Sequence, residues 1–142
     1  MSEKSTTTIT ARASAALPAS GADDSSPTKV DLGAGTQSVT LWATYTRGGS
    51  GGQARLKPEL SADGVAWYKA TLIDGTIGGS APYGVLGTRA VQYDLPAPAD
   101  GSALRTAHAL DVRGARFLRI PAAEVGNTGA PGTLALALSE DA

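Results

Sequence analysis

Residues 53–73 read QARLKPELSADGVAWYKATLI, and this stretch decides the fold class. Arg55, Lys57 and Glu59 alternate with Leu56, Pro58 and Leu60, the period of two that marks a half-buried strand. Ser61, Ala62, Asp63 and Gly64 supply a turn, with Gly64 able to take a positive φ. Residues 65–73 then return as a second strand carrying Trp67 and Tyr68. Both parities of the return are apolar, with Val65, Trp67 and Ile73 on one and Ala66, Tyr68, Ala70 and Leu72 on the other. It is therefore expected to be covered on both faces. Pro58 has no N–H to give to a ladder, which points the first strand toward a sheet edge or a bulge.

Outward from this hairpin, residues 38–46 (SVTLWATYT) form the best single strand, rich in the β-branched and aromatic residues that strands favour. Val39, Leu41, Ala43 and Tyr45 share one face. Trp42 sits among threonines on the other, either covering an edge of the fold or anchoring an interface, where Trp is enriched. Residues 47–52 (RGGSGG) lack the Gly-Lys-Ser/Thr ending and the following helix of a phosphate-binding loop, and are expected to be a mobile hairpin tip. Further strands are expected over 28–33, 88–95, 104–112, 116–121 and 133–139, with Val91, Tyr93 and Leu95 inward in the second of these. In the last, Leu134, Leu136 and Leu138 make the core face. Ala135 and Ala137 leave a flat surface onto which a second layer can pack. Eight short strands with turn signals between them predict an all-β chain: a single antiparallel β-sandwich of about eight strands, of jelly-roll or related Greek-key type. The 18 glycines and 8 prolines suit such a turn-rich protein.

Two segments stand apart. Sixteen of the first 27 residues are Ser, Thr or Ala, too few of them apolar for a core or a stable helix. The chain thus divides into an extended N-terminal arm, 1–27, and a sandwich domain, 28–142. A segment of this composition reads as a disordered tail or, where something holds it in order, as an arm lying on a neighbouring chain with Ile9 and Leu17 as its apolar contacts. Residues 74–87 (DGTIGGSAPYGVLG) form the longest internal loop, with five glycines. Loops of this length are uncommon unless functional, so Ile77, Tyr83, Val85 and Leu86 are candidate partner contacts, the alternative being a loop folded back over the sandwich end. Trp42, Ala135 and Ala137 are candidates with them, the two alanines reading equally as ordinary exposed positions. Residues 124–132 read as a second long polar loop.

The formal net charge of −1, from 12 basic and 13 acidic residues, argues against a nucleic-acid surface or recruitment to an acidic membrane. No apolar run approaches the roughly 18 residues that span a bilayer, and no secretory signal is expected. The chain has no cysteine, hence no disulfide and no thiolate metal site, which fits the cytoplasm or a protein stabilised by assembly. His108, the one histidine, falls on a mostly apolar strand face and is read as a hydrogen-bonded packing residue rather than a base. Asp63, Asp74, Asp94, Asp111 and Glu124 are available to a glycosidase-type pair, but Asp63 and Asp74 stand beside glycine in turns, where Asp has a structural task. No catalytic, metal or cofactor residues are assigned and no enzyme activity is expected.

Residues 56–70 (LKPELSADGVAWYKA) and 110–141 (LDVRGARFLRIPAAEVGNTGAPGTLALALSED) together resemble small β-sandwich structural proteins of tailed-bacteriophage virions, including head decoration or cement proteins. The resemblance covers roughly 30–140 and rests on hairpins and turns, so no functional residue carries over. It implies a virion part, assembled in the bacterial cytoplasm, that binds the major capsid protein or other virion proteins as a symmetric oligomer, with a trimer favoured. Similar patterns occur in carbohydrate-binding sandwiches. A host-recognition module stacking sugars on Trp42, Trp67, Tyr68 and Tyr83, or a tail or neck component, are the alternatives.

Overall fold

The computed structural model describes residues 8–18, 21–49, 52–76, 86–99, 102–126 and 129–141. All regular structure among them is strand, and every pairing is antiparallel. The organising unit is a four-stranded sheet of long strands. At its centre β3 (Ser38–Thr46) pairs on one side with β13 (Thr133–Asp141) and on the other with β10 (Ala103–Asp111), each over nine consecutive partners. The alternation in the sequence produces this: Val39, Leu41, Ala43 and Tyr45 of β3 and Leu134, Leu136 and Leu138 of β13 all point inward and are buried. A slip of one residue would turn every one of them to solvent, so the register is fixed by burial.

Three smaller sheets complete the molecule. One orders β2 (Val30–Asp31), β11 (Phe117–Arg119), β5 (Glu59–Ser61) and β6 (Tyr68–Lys69); another orders β12 (Ala122–Val125), β4 (Gln53–Leu56) and β9 (Tyr93–Leu95); the third pairs β7 (Thr71–Thr76) with β8 (Leu86–Ala90). Val30, Leu32, Leu56, Leu95, Leu118, Ile120 and Ala122 join the inward residues of the long sheet in one hydrophobic cluster.

The stretch at 53–73 is a hairpin only at its middle. Pro58 divides the expected outgoing strand into β4 and β5, which lie in different sheets. The turn follows the reading closely. Gly64 has φ +79°, Ser61 Oγ accepts from Gly64 N at 2.8 Å, and Asp63 Oδ1 accepts from Val65 N and Ala66 N at 2.8 and 3.0 Å. The return strand is not covered on both faces: Val65 is 82 % and Tyr68 68 % exposed. Val65, Ala66 and Tyr68 belong to a projecting tip, while Ala70 reaches the core. Of the eight expected strands, 38–46 stands unchanged, 28–33 and 116–121 shrink to short pairs, and 88–95 breaks at Val91 and Gln92. Thirteen strands are found among the described residues.

Residues 8–16, β1, form a strand on the free edge of β13 of the same chain. The register shifts twice along it, and Arg12 occupies the irregularity. Its guanidinium donates to the carbonyls of Leu134 (2.6 Å), Ala15 (2.9 Å) and Ala16 (3.1 Å) and pairs with Asp24 (3.1 Å). Backbone bonds from Leu17 N to Gly132 O and from Asp24 N to Ala122 O, both 2.9 Å, continue the attachment. The composition of this segment hid its strand character, because a single arginine meets the carbonyls that the bulges free.

The segment after β3 is likewise no hairpin tip, since β3 and β4 belong to different sheets. Gly49 N donates to Ala130 O at 2.7 Å, and a Cβ at Gly48 would collide with the backbone of Ala130 and Pro131. Glycine is required here by close approach of two backbones.

Candidate functional site

The outward side of the four-stranded sheet is the most distinctive surface. Reading across the register, Thr10, Ala137, Trp42 and Ala107 form one row. Thr8, Ser139, Thr40 and Ala109 form the row on one side of it; Ala135, Thr44 and Arg105, then Ala16, Thr133, Thr46 and Ala103, lie on the other. Arg105 is the one charged side chain in these four rows. The strand and residue spacings give the face an area of about 400 Å². Trp42 stands at its centre, 48 % exposed, on an interior strand and not at an edge. Its Nε1 donates to Ser139 Oγ at 3.0 Å, which lays the indole across β13 instead of leaving it free to rotate.

Of the residues expected to contact a partner, Trp42, Ala135 and Ala137 share this face. Ile9 is half-buried opposite Leu138 and packs on the core. Leu17 is 2 % exposed, inside the core of its own chain. Leu86 opens β8 opposite Thr76. Ile77, Tyr83 and Val85 lie outside the described residues.

A second feature is the tip after β5. Arg119 stacks over the Trp67 ring at 4.3 Å while its Nε pairs with Glu59 at 2.7 Å. One face of Trp67 is thus occupied, and Tyr68 projects beside it. Below the tip, a cleft of about 300 Å³ is lined by Asp23, Lys57, Glu59, Lys69, Gln92 and Pro121. Lys57 pairs with Asp23 at 3.0 Å, so much of its charge is met within the chain.

Several titratable groups have structural partners. Glu124 is 1 % exposed; it belongs to β12 and not to the polar loop that follows. Its Oε2 accepts from Gly132 N at 2.7 Å and from Tyr45 Oη at 3.2 Å. Burial, then the Glu124 charge, push the Tyr45 phenol up to about 12. A Cβ at Gly132 would lie 2.5 Å from the Thr46 carbonyl, so only glycine brings this amide to the carboxylate. The fork from Arg113 lowers Asp111 to about 2, and the Arg55 guanidinium holds Asp94 below its ordinary value. Asp63 is lowered chiefly by the Val65 and Ala66 amides. His108 stacks on Tyr93 with centroids 4.3 Å apart, its Nε2 lies 2.8 Å from Thr106 Oγ1, and burial lowers its pKa. Those contacts are the ones expected of a packing histidine. Among the described residues no group of three or more His, Cys, Asp or Glu side chains is placed to hold a metal ion.

Comparison of the chain with protein-family models, with curated proteins and with solved structures finds no match. The surfaces themselves therefore carry the functional argument.

The sequence located Trp42, Ala135 and Ala137 through alternation alone. It missed the Arg12 anchor and the Tyr45, Glu124 and Gly132 cluster. Both depend on residues distant in the chain, and no local spacing announces either.

Proposed function

We propose that this chain is a non-enzymatic virion structural protein, a capsid decoration or cement protein of β-sandwich type that binds and stabilises a phage head lattice. The observation that carries the reading is the flat outer face around Trp42. Four rows of Thr, Ser and Ala, with Arg105 as their one charged residue, around one half-exposed indole resemble the core of a protein contact, where charge is depleted and aromatic residues are enriched. The engaged carboxylates and the packed His108 support a structural part over a catalytic one. Under this reading the major capsid protein or another virion protein covers the Trp42 face, and residues 74–87 add a second contact. The stapling of β1 to β13 of its own chain ties residues 8–17 to the long sheet, so under this reading they are a support for the binding face.

Co-sedimentation with capsids of the phage that carries the gene tests the proposal. Binding that saturates at a fixed ratio to the major capsid protein, and that Trp42→Ala weakens about tenfold or more, is the expected result. Protein that stays in the supernatant overturns it.

A second reading, a carbohydrate-binding or host-recognition module, draws on the exposure of Trp42 and Tyr68. The Arg119 stack on Trp67 weighs against it, because that ring face is already filled. Glycan-array binding abolished by Tyr68→Ala would favour it over the virion reading.

A further inference from the structure

We propose that β10 is a self-association edge, through which two copies of this chain join their long sheets into one continuous sheet about a two-fold axis at His108. Among the described strands β10 pairs with β3 alone, so its other side presents backbone groups that no described strand pairs, the Ala109 carbonyl among them accepting from the Tyr93 hydroxyl. Which groups these are follows from the ladder. Val112 N donates to Gln37 O at 3.0 Å, one step past the Asp111 and Ser38 pair. Backbone groups alternate sides along an antiparallel strand. The even residues 104–112 therefore turn to β3, and Ala103, Arg105, Ala107, Ala109 and Asp111 turn their N–H and C=O to the open edge. The Tyr93 hydroxyl, arriving from outside the ladder, reaches Ala109 O at 3.3 Å, as this parity requires.

The two edges of the long sheet differ in how they are defended. β1 carries two register breaks and the Arg12 cap, devices that discourage pairing. β10 has nine unbroken partners and no proline. An open edge of this kind is a template for another strand.

The charges on β10 select the second copy as that strand. Arg105 and Asp111 are its only charged residues, three positions either side of His108. A two-fold antiparallel pairing about His108 sets Arg105 of each copy opposite Asp111 of the other, and opposite charges across a strand pair are favourable. Arg113 falls opposite Ala103 in this register, and its guanidinium, forked onto Asp111 within the chain, shares that carboxylate with Arg105 of the other copy. The same register brings the edge-facing odd residues together as hydrogen-bonded pairs. It also sets the half-buried Thr106 beside Leu110 of the other copy, extending the inner face.

The pairing stands independently of the virion reading but would serve it. One Trp42 face of about 400 Å² is half of what a standard interface takes from each partner, and two on one sheet supply about 800 Å².

Sedimentation equilibrium of the full chain over a dilution series tests the proposal. A dimer of twice the 14.2 kDa chain mass is expected. Ala107→Pro removes an edge-facing N–H without touching the β3 ladder, and should weaken the dimer about a hundredfold while circular dichroism and melting show a folded chain. Arg105→Asp should weaken it about tenfold, and R105D combined with D111R should restore it. A monomer or a trimer at all concentrations, a dimer indifferent to Ala107→Pro, or a swap that fails to rescue would each overturn the proposal. Capsid binding by a monomer would leave the virion reading standing and remove this one.

Discussion

Glu124 shows how a single buried carboxylate joins three distant segments. It accepts from the amide of Gly132 and the phenol of Tyr45, and so ties β12 to the ends of β3 and β13. Replacing Glu124 with Ala strands the buried Gly132 N–H, and should cost about 2 kcal/mol in urea denaturation. Glu124→Gln keeps an acceptor oxygen and should cost less. Tyr45 sets an alkaline limit. Its folded pKa of about 12 lies above the ordinary value of 10.0, so the folded state holds the proton more tightly than the unfolded chain. The stability from this group is fully present below pH 10 and is lost as pH rises through 12. Alkaline unfolding followed by circular dichroism should show that loss, and Tyr45→Phe should remove it. Asp63 acts in the opposite sense. The amides that lower its pKa contribute stability above the ordinary carboxylate range, lost as pH falls through the folded value. Asp63→Ala should flatten that acid limb. The Asp63 turn was legible in the sequence because donor and acceptor are two or three residues apart. Glu124 was legible only as an available carboxylate, because its partners lie 8 and 79 positions away.

At the scale of elements, β1 differs most from its reading as part of an arm. Its composition is that of a tail, yet it covers the edge of β13 and delivers Ala11, and just past its end Leu17, to the core. Leu17→Ala should cost about 2–4 kcal/mol by chemical denaturation, the range for a leucine removed from a packed core. Arg12→Ala should cost about 1–3 kcal/mol, since it leaves the Leu134 carbonyl and Asp24 without their charged donor. Removing residues 1–18 should lower stability by more than either and expose β13 as a new edge, read as aggregation in light scattering. Full stability after that deletion would show that the strand adds nothing to the body. β3, by contrast, was legible to the residue, because strict alternation over nine positions admits one face inward.

Among the described residues one hydrophobic cluster is fed by the long sheet and by the short strands around it. A single core predicts a single cooperative transition. Two indoles report on its two sides: Trp42 on the outer face of the long sheet, Trp67 against Arg119 at the tip. Fluorescence melts of Trp42→Phe and Trp67→Phe should each give one transition, coincident with circular dichroism of the same variant once each variant's own stability shift is allowed for. Separated transitions within one variant would show that the tip and the long sheet unfold independently. The pairings of β3 and β1 with β13 join the ends of the sequence, so refolding is expected on the slow scale of non-local β topologies, about milliseconds to seconds by stopped flow.

The sequence by itself determined that this is an all-β chain, which residues of its long strands face the core, and which small residues flank Trp42. Those properties follow from the period of side chains along a strand and from turn chemistry, both local. Only the tertiary structure decided where Pro58 divides one apparent strand between two sheets, that the polar segment 8–16 closes an edge, and that β10 pairs on one side alone among the described strands. Strand order and edge exposure depend on which segments meet across the chain. Hydrogen bonds between backbones carry no record of that choice in the side chains that the sequence spells out.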